Sequence, residues 1–204
     1  MKPILKLFSY IFHPLFVSVY ATLYFFYSYR NIFPAVNSIY YIVQITLLTI
    51  ILPLFILHLY INLKIINSDI MLTDVKSRRL PLATQSIIFL FICHQTLKPI
   101  LGFELKYFFI GALISSVIAL LATLFKQKIS LHMIGICGMA TFIIGLNIKI
   151  GSPSLVLICT LFIISGLVAT SRLIMKAHTN LELLLGALIG VFTQILSFYI
   201  FYKI

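Results

Sequence analysis

The segment SRLIMKAHTNLE, residues 171–182, is the only stretch of the sequence with an arginine, a lysine, a histidine and a carboxylate within twelve residues. It contains Arg172, Lys176, His178 and Glu182 in a chain of which only 9% of residues are charged. His178 and Glu182 have i, i+4 spacing, so on a helix they share a face and the carboxylate can fix the tautomer of the imidazole. An oriented imidazole beside cations is a candidate nucleophile toward a phosphate group.

Two questions about this segment stay open at the level of the sequence. On an unbroken helix Arg172 and His178 point about 120° apart, so both enter one pocket only if the helix breaks near 176–178. The stretch from Thr179 to Glu182 also fits a capping box, in which Glu182 reaches back to the N-cap residue. The sequence is equally compatible with Glu182 as a helix cap and with Glu182 as the residue that supports His178.

Two further polar segments lie beside apolar runs. KISLHM, residues 128–133, places Ser130 and His132 at the start of a predicted helix, where backbone N–H groups can receive an anion. LTDVKSRRLP, residues 72–81, is rich in charge. Each has a plainer interpretation, because interfacial histidines are often tolerated polarity and basic loops often contact lipid phosphates. That plainer interpretation is applied to the remaining histidines, which are His13, His58 and His94.

The chain that positions these groups has the composition of an integral membrane protein. It is 62% hydrophobic, with a mean hydropathy of +1.15 over 204 residues. A membrane span takes about 20 apolar residues, so this length provides six or seven spans and no separate soluble domain. We therefore predict an all-α, polytopic transmembrane bundle that forms a single integral membrane domain over residues 1–204.

Polar or proline-containing breaks separate the apolar segments. The predicted spans are 4–28, 36–62, 81–101, 106–125, 130–148, 153–173 and 181–202. Lys2 and Lys6 precede a first run without a small-residue cleavage site, which favours a retained span over a removable signal peptide. Gly186 and Gly190 form a GxxxG pattern in the last segment, which is typical of close helix packing in lipid.

Charge and cysteine content exclude several functions. The formal charge is +11, but the 15 basic residues are spread over span ends and loops, so we expect membrane lipids or a phosphorylated substrate as partners and no nucleic acid. The three cysteines lie within apolar runs and lack metal-ligand spacing. We therefore expect neither a metal nor a cofactor.

Alternation of seven spans collects the polar chemistry on one side of the membrane. The N-terminus and the connections 63–80, 126–129 and 174–180 then emerge on the same face. Together these connections supply several cations, two histidines and a carboxylate. Such a set can bind a phosphate, attack it with one imidazole and protonate the leaving alcohol with the other.

The three polar segments resemble, in order, the motifs of the type 2 phosphatidic acid phosphatase superfamily. These motifs are K-x6-R-P, P-S-G-H and S-R-x5-H-x3-D. Ser171, Arg172, His178 and Glu182 reproduce the third motif in spacing, with Glu in place of Asp. The resemblance covers about 70–190 and looks like a small bacterial branch of this group of integral membrane phosphatases.

The other two motifs match less fully. The second lies at 129–132, where Ile129 replaces the proline and Leu131 the glycine. The first lies at 79–81, where a leucine separates the arginine from the proline, and Lys76 is an approximate counterpart of the motif lysine.

The resemblance implies a metal-independent phosphatase that hydrolyses a lipid phosphate or prenyl pyrophosphate through a phosphohistidine. It implies that His178 is the nucleophile, that Glu182 orients it and that His132 protonates the leaving group. The implied phosphate-binding residues are Lys76, Arg79, Arg172 and Ser130. Phosphatidic acid, phosphatidylglycerol phosphate, undecaprenyl pyrophosphate and lipid A phosphates remain open as substrates.

Two other functions remain open. The departures at Leu131 and Glu182 also fit a catalytically inactive relative that binds lipid headgroups or a partner. A small transporter is less well supported, because the chain lacks paired half-helix breaks and acidic ion ligands.

Membrane orientation is predicted from two conflicting signals. The motif-bearing face holds 10 of the 15 lysines and arginines, which by the positive-inside rule indicates the cytoplasm. Many bacterial members of the family that the chain resembles instead present their site to the periplasm. Without the implied phosphate ligands Lys76, Arg79 and Arg172 the bias falls to 7 against 5. We expect a protein of the bacterial inner membrane with its active-site face in the periplasm.

Overall fold

The computed structural model describes residues 2–66, 75–96 and 103–202, and these ranges contain helices and no β-strand. The α-helices within them are α1 (Lys2–Ile11), α2 (Pro14–Ser28), α3 (Ala35–Thr46), α4 (Leu52–Asn62), α5 (Arg79–Phe91), α6 (Phe103–Leu124), α7 (Leu131–Lys149), α8 (Leu155–Ile174) and α9 (Asn180–Tyr202). A π-helical turn over Leu47–Ile51 joins α3 to α4, another over Ile92–Thr96 follows α5, and a 3₁₀ turn over Lys76–Arg78 precedes α5.

Several of these helices are long and apolar enough to cross a membrane. Among the described residues they are Ala35–Asn62, Glu104–Leu124, Leu131–Lys149, Leu155–Ile174 and Asn180–Ile200. A sixth span results if α1 and α2 are counted as one bent pair. The protein is therefore an all-helical membrane protein, as its composition predicts, and the described residues hold five or six candidate spans where the sequence predicted six or seven.

The first predicted span differs from the structure. The run 4–28 is divided into α1 and α2, whose axes are bent by 68°. Pro14 occupies the first turn of α2, and since proline lacks an N–H it cannot continue the hydrogen bonding of a preceding helix. His13 caps α2, because its Nδ1 accepts a hydrogen bond from the Leu15 N–H at 3.4 Å.

The third predicted span is only partly described. The run 81–101 corresponds to α5 and the following π-helical turn, which are helical through Thr96. This described part is not among the helices that are both long and apolar enough to count as a span. Residues 97–102 lie outside the described ranges, so a seventh span stays a prediction.

Close contact between α7 and α9 fixes the relative position of their first turns. A Cβ added at Gly186 would lie 2.6 Å from the Ser130 carbonyl oxygen, and one at Gly190 would lie 2.4 Å from the Ile134 carbonyl oxygen. Only glycine permits this approach of two backbones, which is the packing that GxxxG predicts. The start of α7 is thereby held against the start of α9.

A polar cluster fastens the opposite end of the bundle. Glu104 at the start of α6 is 6% exposed and pairs with Lys149 at the end of α7. The Tyr29 hydroxyl, just after α2, donates to the same carboxylate at 3.3 Å. Three helices are therefore tied together at the end remote from the histidines described next.

Candidate active site

The three polar segments meet at one end of the bundle, which we call the motif end and define by residues 76–79, 123–132 and 171–182. The Lys128 ammonium donates to the Ala177 carbonyl at 2.8 Å. The Ser130 N–H donates to the Glu182 carbonyl at 3.2 Å. Arg79 donates through Nη2 to the Thr123 carbonyl at 3.0 Å. These contacts join the connections that alternating spans place on one side.

The helix break near 176–178, on which a shared pocket for Arg172 and His178 depends, is present. Helix α8 ends at Ile174, and Lys176 adopts a left-handed conformation with φ of 53°. The Ala177 N–H then donates to the Arg172 carbonyl at 3.1 Å, which closes the end of the helix. This turn directs His178 toward the same end of the bundle as Arg172.

His178 and Glu182 form the pair predicted by their spacing. The His178 Nδ1 lies 2.7 Å from Glu182 Oε2, and the imidazole is buried. A carboxylate accepts, so Nδ1 carries the proton and Nε2 presents its lone pair. In this tautomer His178 has the form of a nucleophile that a carboxylate orients.

Glu182 also completes the capping box of α9. The Thr179 N–H donates to Glu182 Oε2 at 3.3 Å, and the Glu182 N–H donates to the Thr179 hydroxyl at 3.3 Å. The two interpretations of Glu182 are therefore both satisfied, because one carboxylate oxygen caps the helix and bonds the imidazole.

The surroundings of His178 favour its neutral form. Burial, as the largest cause, and the positive charges of Lys128, Arg172 and Arg78 together lower its pKa from 6.5 to about 4. The Glu182 hydrogen bond opposes this shift in the pKa. At neutral pH the imidazole is uncharged and its Nε2 lone pair is available.

Three of the residues proposed to bind phosphate hold buried donors with no protein partner among the described residues. They are the Ser130 hydroxyl, the Arg172 Nε and the Arg79 Nε. Leaving such groups unpaired costs about 1–3 kcal/mol each, and more for charged groups. Donors of this kind beside an imidazole suit an anion that accepts several hydrogen bonds.

Two cations that the sequence did not single out lie close to the predicted nucleophile. Arg78 and Lys128 both act electrostatically on His178 and line one pocket with Thr123 and Gln127. Burial, more than the neighbouring arginines, lowers the pKa of Lys128. The apolar lining of the same pocket consists of Leu82, Ala119, Ile129 and Leu131.

The cations of the first motif differ in their surroundings. Lys76 is exposed at the start of the 3₁₀ turn, and Arg79 contacts α6 through Thr123. The charge from this connection that acts on His178 is that of Arg78. The sequence shows two adjacent arginines, Arg78 and Arg79, but their spacing does not tell which of them acts on His178.

His132 belongs to the same site. It is buried at the start of α7, and both Arg172 and His178 act on it electrostatically. Its Nε2 lies 3.1 Å from the Ser9 carbonyl oxygen, and its ring meets that of His13 edge to face, with centroids 5.2 Å apart. His13, which the sequence left without a role, is thus part of the surroundings of His132.

Among the described residues, no group of three histidine, cysteine or carboxylate side chains is arranged to hold a metal ion. Comparison of the chain with known protein families, with curated proteins and with solved structures finds no match.

Proposed function

We propose that this protein is a membrane phosphatase of the type 2 phosphatidic acid phosphatase superfamily, which hydrolyses a lipid phosphate or prenyl pyrophosphate through a phosphohistidine. The observation that carries the proposal is the buried His178–Glu182 pair, 2.7 Å apart, at an end of the bundle that also holds unpartnered donors on Ser130, Arg79 and Arg172. An oriented neutral imidazole and a cationic cradle are the two parts that metal-independent phosphoryl transfer requires.

In the first step the Nε2 lone pair of His178 attacks phosphorus and forms an N–P bond. The bond from phosphorus to the leaving oxygen breaks, and His132, whose protonated form the negative charge of the bound phosphate favours, gives a proton to that oxygen. The positive charge that develops on the His178 ring is stabilised by Glu182 at Nδ1. The products are a neutral alcohol, or a monophosphate where the substrate is a pyrophosphate, and the phosphohistidine.

In the second step water attacks the phosphohistidine. His132, now neutral, takes a proton from that water, and the N–P bond breaks to return the electron pair to His178. Inorganic phosphate leaves, and both histidines regain their starting protonation states. No redox partner or additional reactant is needed.

The cations at the motif end stabilise the charge on the phosphoryl oxygens in both steps. We assign this role to Arg172 and Ser130, with Arg78 and Lys128 added to the predicted Arg79 and Lys76. Charge-assisted hydrogen bonds to phosphate are about twice as strong as neutral ones. Burial of Lys128 strengthens its electrostatic effect, because nearby water screens it less.

The position of the site at the end of apolar helices suits a substrate held in a membrane. A lipid keeps its phosphate at headgroup level while its chains stay among apolar side chains. We propose the inner membrane of a bacterium as the location, with the site facing the periplasm. Lipid phosphates and prenyl pyrophosphates share the required chemistry.

An inactive, headgroup-binding relative is the second candidate. It is favoured by Leu131, which lines the Arg78–Lys128 pocket where the motif has glycine. It is opposed by Glu182, whose longer side chain still reaches His178. Turnover distinguishes the two candidates.

The test is release of inorganic phosphate by purified protein in detergent, with chelator present. The substrates are phosphatidic acid, phosphatidylglycerol phosphate, undecaprenyl pyrophosphate and lipid A phosphate. We expect release by the wild type, loss of release in His178→Ala, and acid-labile, base-stable phosphate on the wild-type chain after rapid quenching. Binding of these lipids without release would establish the inactive relative, and release by His178→Ala would exclude the phosphohistidine.

A further inference from the structure

The segment α1 contacts the motif end although it lies outside the region of resemblance. It packs against α8, and Ser9 on its buried face touches two residues of the site region. The Ser9 carbonyl meets His132 Nε2 at 3.1 Å, and the Ser9 hydroxyl lies 2.7 Å from the Ser171 hydroxyl. Both contacts are buried, and each bridges more than a hundred residues of sequence.

The carbonyl contact determines which nitrogen of His132 can exchange a proton with the substrate. A carbonyl oxygen only accepts, so Nε2 must carry a hydrogen in both the charged and the neutral ring. Nδ1 is then the nitrogen that is protonated in the acid and unprotonated in the base. The same hydrogen bond persists through the proton transfer, so the ring does not need to reorient between the two steps.

We propose that Ser9 is a positioning residue for His132, and that α1 is thereby part of the catalytic machinery. The Ser9 backbone carbonyl fixes the tautomer and orientation of the general acid, in the way that Glu182 does for His178. The Ser9–Ser171 hydroxyl pair holds this carbonyl in place next to Arg172. The assignment of His132 as the acid rests on the proposed function.

The alternative is that α1 is a lid whose carbonyl blocks His132 until it moves away. The two roles predict opposite effects of α1 mobility. A positioning element works best when it is held in place, whereas a lid must open. The Ser9–Ser171 contact allows both conditions to be produced in one protein.

The first variants loosen α1 without removing its backbone. Ser9→Ala and Ser171→Ala each delete the hydroxyl pair and keep the Ser9 carbonyl. Ser116→Ala is the matched control, because Ser116 forms a buried hydroxyl pair with Ser86 at 2.9 Å between α5 and α6. A double variant, Ser9→Cys with Ser171→Cys, replaces the pair by a disulfide that oxidant closes and reductant opens, and each single cysteine variant is its control.

The readout is the dependence of kcat/KM on the leaving group, because kcat/KM reports the phosphorylation step and not the hydrolysis of the phosphohistidine that all substrates share. Loosening α1 should lower kcat/KM for a lipid alkyl phosphate about tenfold, a part of the 10²–10⁴-fold that general acid catalysis supplies. The kcat/KM for p-nitrophenyl phosphate should change little, because p-nitrophenolate leaves without a proton. The oxidised double-cysteine variant should regain the activity toward the lipid alkyl phosphate that its reduced form loses. An equal loss for both substrates would overturn the proposal in favour of a purely structural contact.

Greater activity of the loosened variants, with inactivity of the oxidised double variant, would overturn it in favour of a lid.

A second readout does not need turnover and therefore separates this proposal from the proposed function. With ¹⁵N-labelled histidine, NMR should show the Nε2–H tautomer for His132 in the wild type and a mixture in Ser9→Ala, with His132→Asn for assignment. A wild-type ring that is not the Nε2–H tautomer would overturn the positioning role even in an active enzyme.

Discussion

The Glu182 carboxylate oxygen that lies 2.7 Å from His178 Nδ1 also accepts the Thr179 N–H at 3.3 Å. The orientation of the proposed nucleophile is therefore tied to the start of α9. Because the Glu182 backbone carbonyl accepts the Ser130 N–H, the same turn also fixes the segment before His132. One helix terminus thus sets the relative position of both histidines.

Replacement of Glu182 by Gln separates its two roles. Glutamine still completes a capping box, so α9 should remain capped. Without the negative charge the imidazolium that develops in the transition state loses its support, and we expect kcat to fall by about 10²–10⁴-fold. Phosphate release and thermal unfolding measured on the same preparation should show lost activity with little change in stability.

The control for this substitution is Thr179→Ala, which removes the N-cap hydroxyl and leaves the His178–Glu182 contact. It should lower stability by about 1 kcal/mol and keep kcat near that of the wild type. If the two variants lost activity equally, Glu182 would act only through the helix.

The lowered pKa of His178 predicts the acid limb of the pH–rate profile. An imidazole with pKa of about 4 remains unprotonated well below its ordinary value of 6.5. We therefore expect that protonation of His178 does not lower kcat/KM between pH 6.5 and 5 and that kcat/KM declines as pH approaches 4. An acid limb centred near 6.5 would show that the burial and cations around His178 do not operate in the free enzyme.

The same group contributes a pH dependence of stability. The unfolded chain takes up a proton near pH 6.5, while folded His178 takes one up only near 4. Since the unfolded state binds more protons between these values, stability should fall as pH decreases from 6.5 to 4. His178→Ala should show a smaller decrease over this window in thermal unfolding, with other titrating groups giving the common background.

Local sequence signals predicted the helices and the break between α8 and α9. Apolar runs predicted the positions of the helices because span length is set by the bilayer, but the run 4–28 is divided into two helices and the run 81–101 is only partly described. The i, i+4 spacing predicted the His178–Glu182 contact, although His178 precedes α9 and reaches Glu182 from outside the helix. The bend before α2 was missed, although a proline directly after a polar residue is a signal for a helix start.

Contacts between distant segments were beyond the sequence. The partner of His132 is a backbone carbonyl on α1, which no spacing rule connects to α7. The difference between Arg78 and Arg79 depends on their partners, because Arg79 bonds the Thr123 carbonyl whereas Arg78 acts electrostatically on His178. Such choices follow from packing, and a single sequence does not encode them in a readable pattern.

Lys128 should contribute to phosphate binding more than its neighbour in the same connection. Its ammonium is partly buried and directed to Ala177, next to the nucleophile, whereas Lys126 is exposed. Loss of one hydrogen bond to a charged group costs about 1.5–3 kcal/mol, so Lys128→Gln should lower kcat/KM by about 10- to 100-fold. Lys126→Gln should have little effect when phosphate release is measured across substrate concentrations. Equal effects would assign the role to general surface charge.

The contact between α7 and α9 predicts that Gly186 is required for the site to assemble. A methyl group there meets the Ser130 carbonyl oxygen at 2.6 Å, and backbone cannot yield as a flexible side chain would. Gly186→Ala should therefore separate the first turns of α7 and α9, with a cost of about 1–3 kcal/mol, and should reduce phosphate release. Gly166→Ala in α8 is the control, because a Cβ there meets nothing within 4 Å, and alanine favours the helix by about 1 kcal/mol. Thermal unfolding should show a destabilised Gly186→Ala protein and a stabilised Gly166→Ala protein, and only Gly186→Ala should reduce phosphate release. A Gly186→Ala protein as stable and active as wild type would contradict the backbone contact that aligns Ser130 with Glu182.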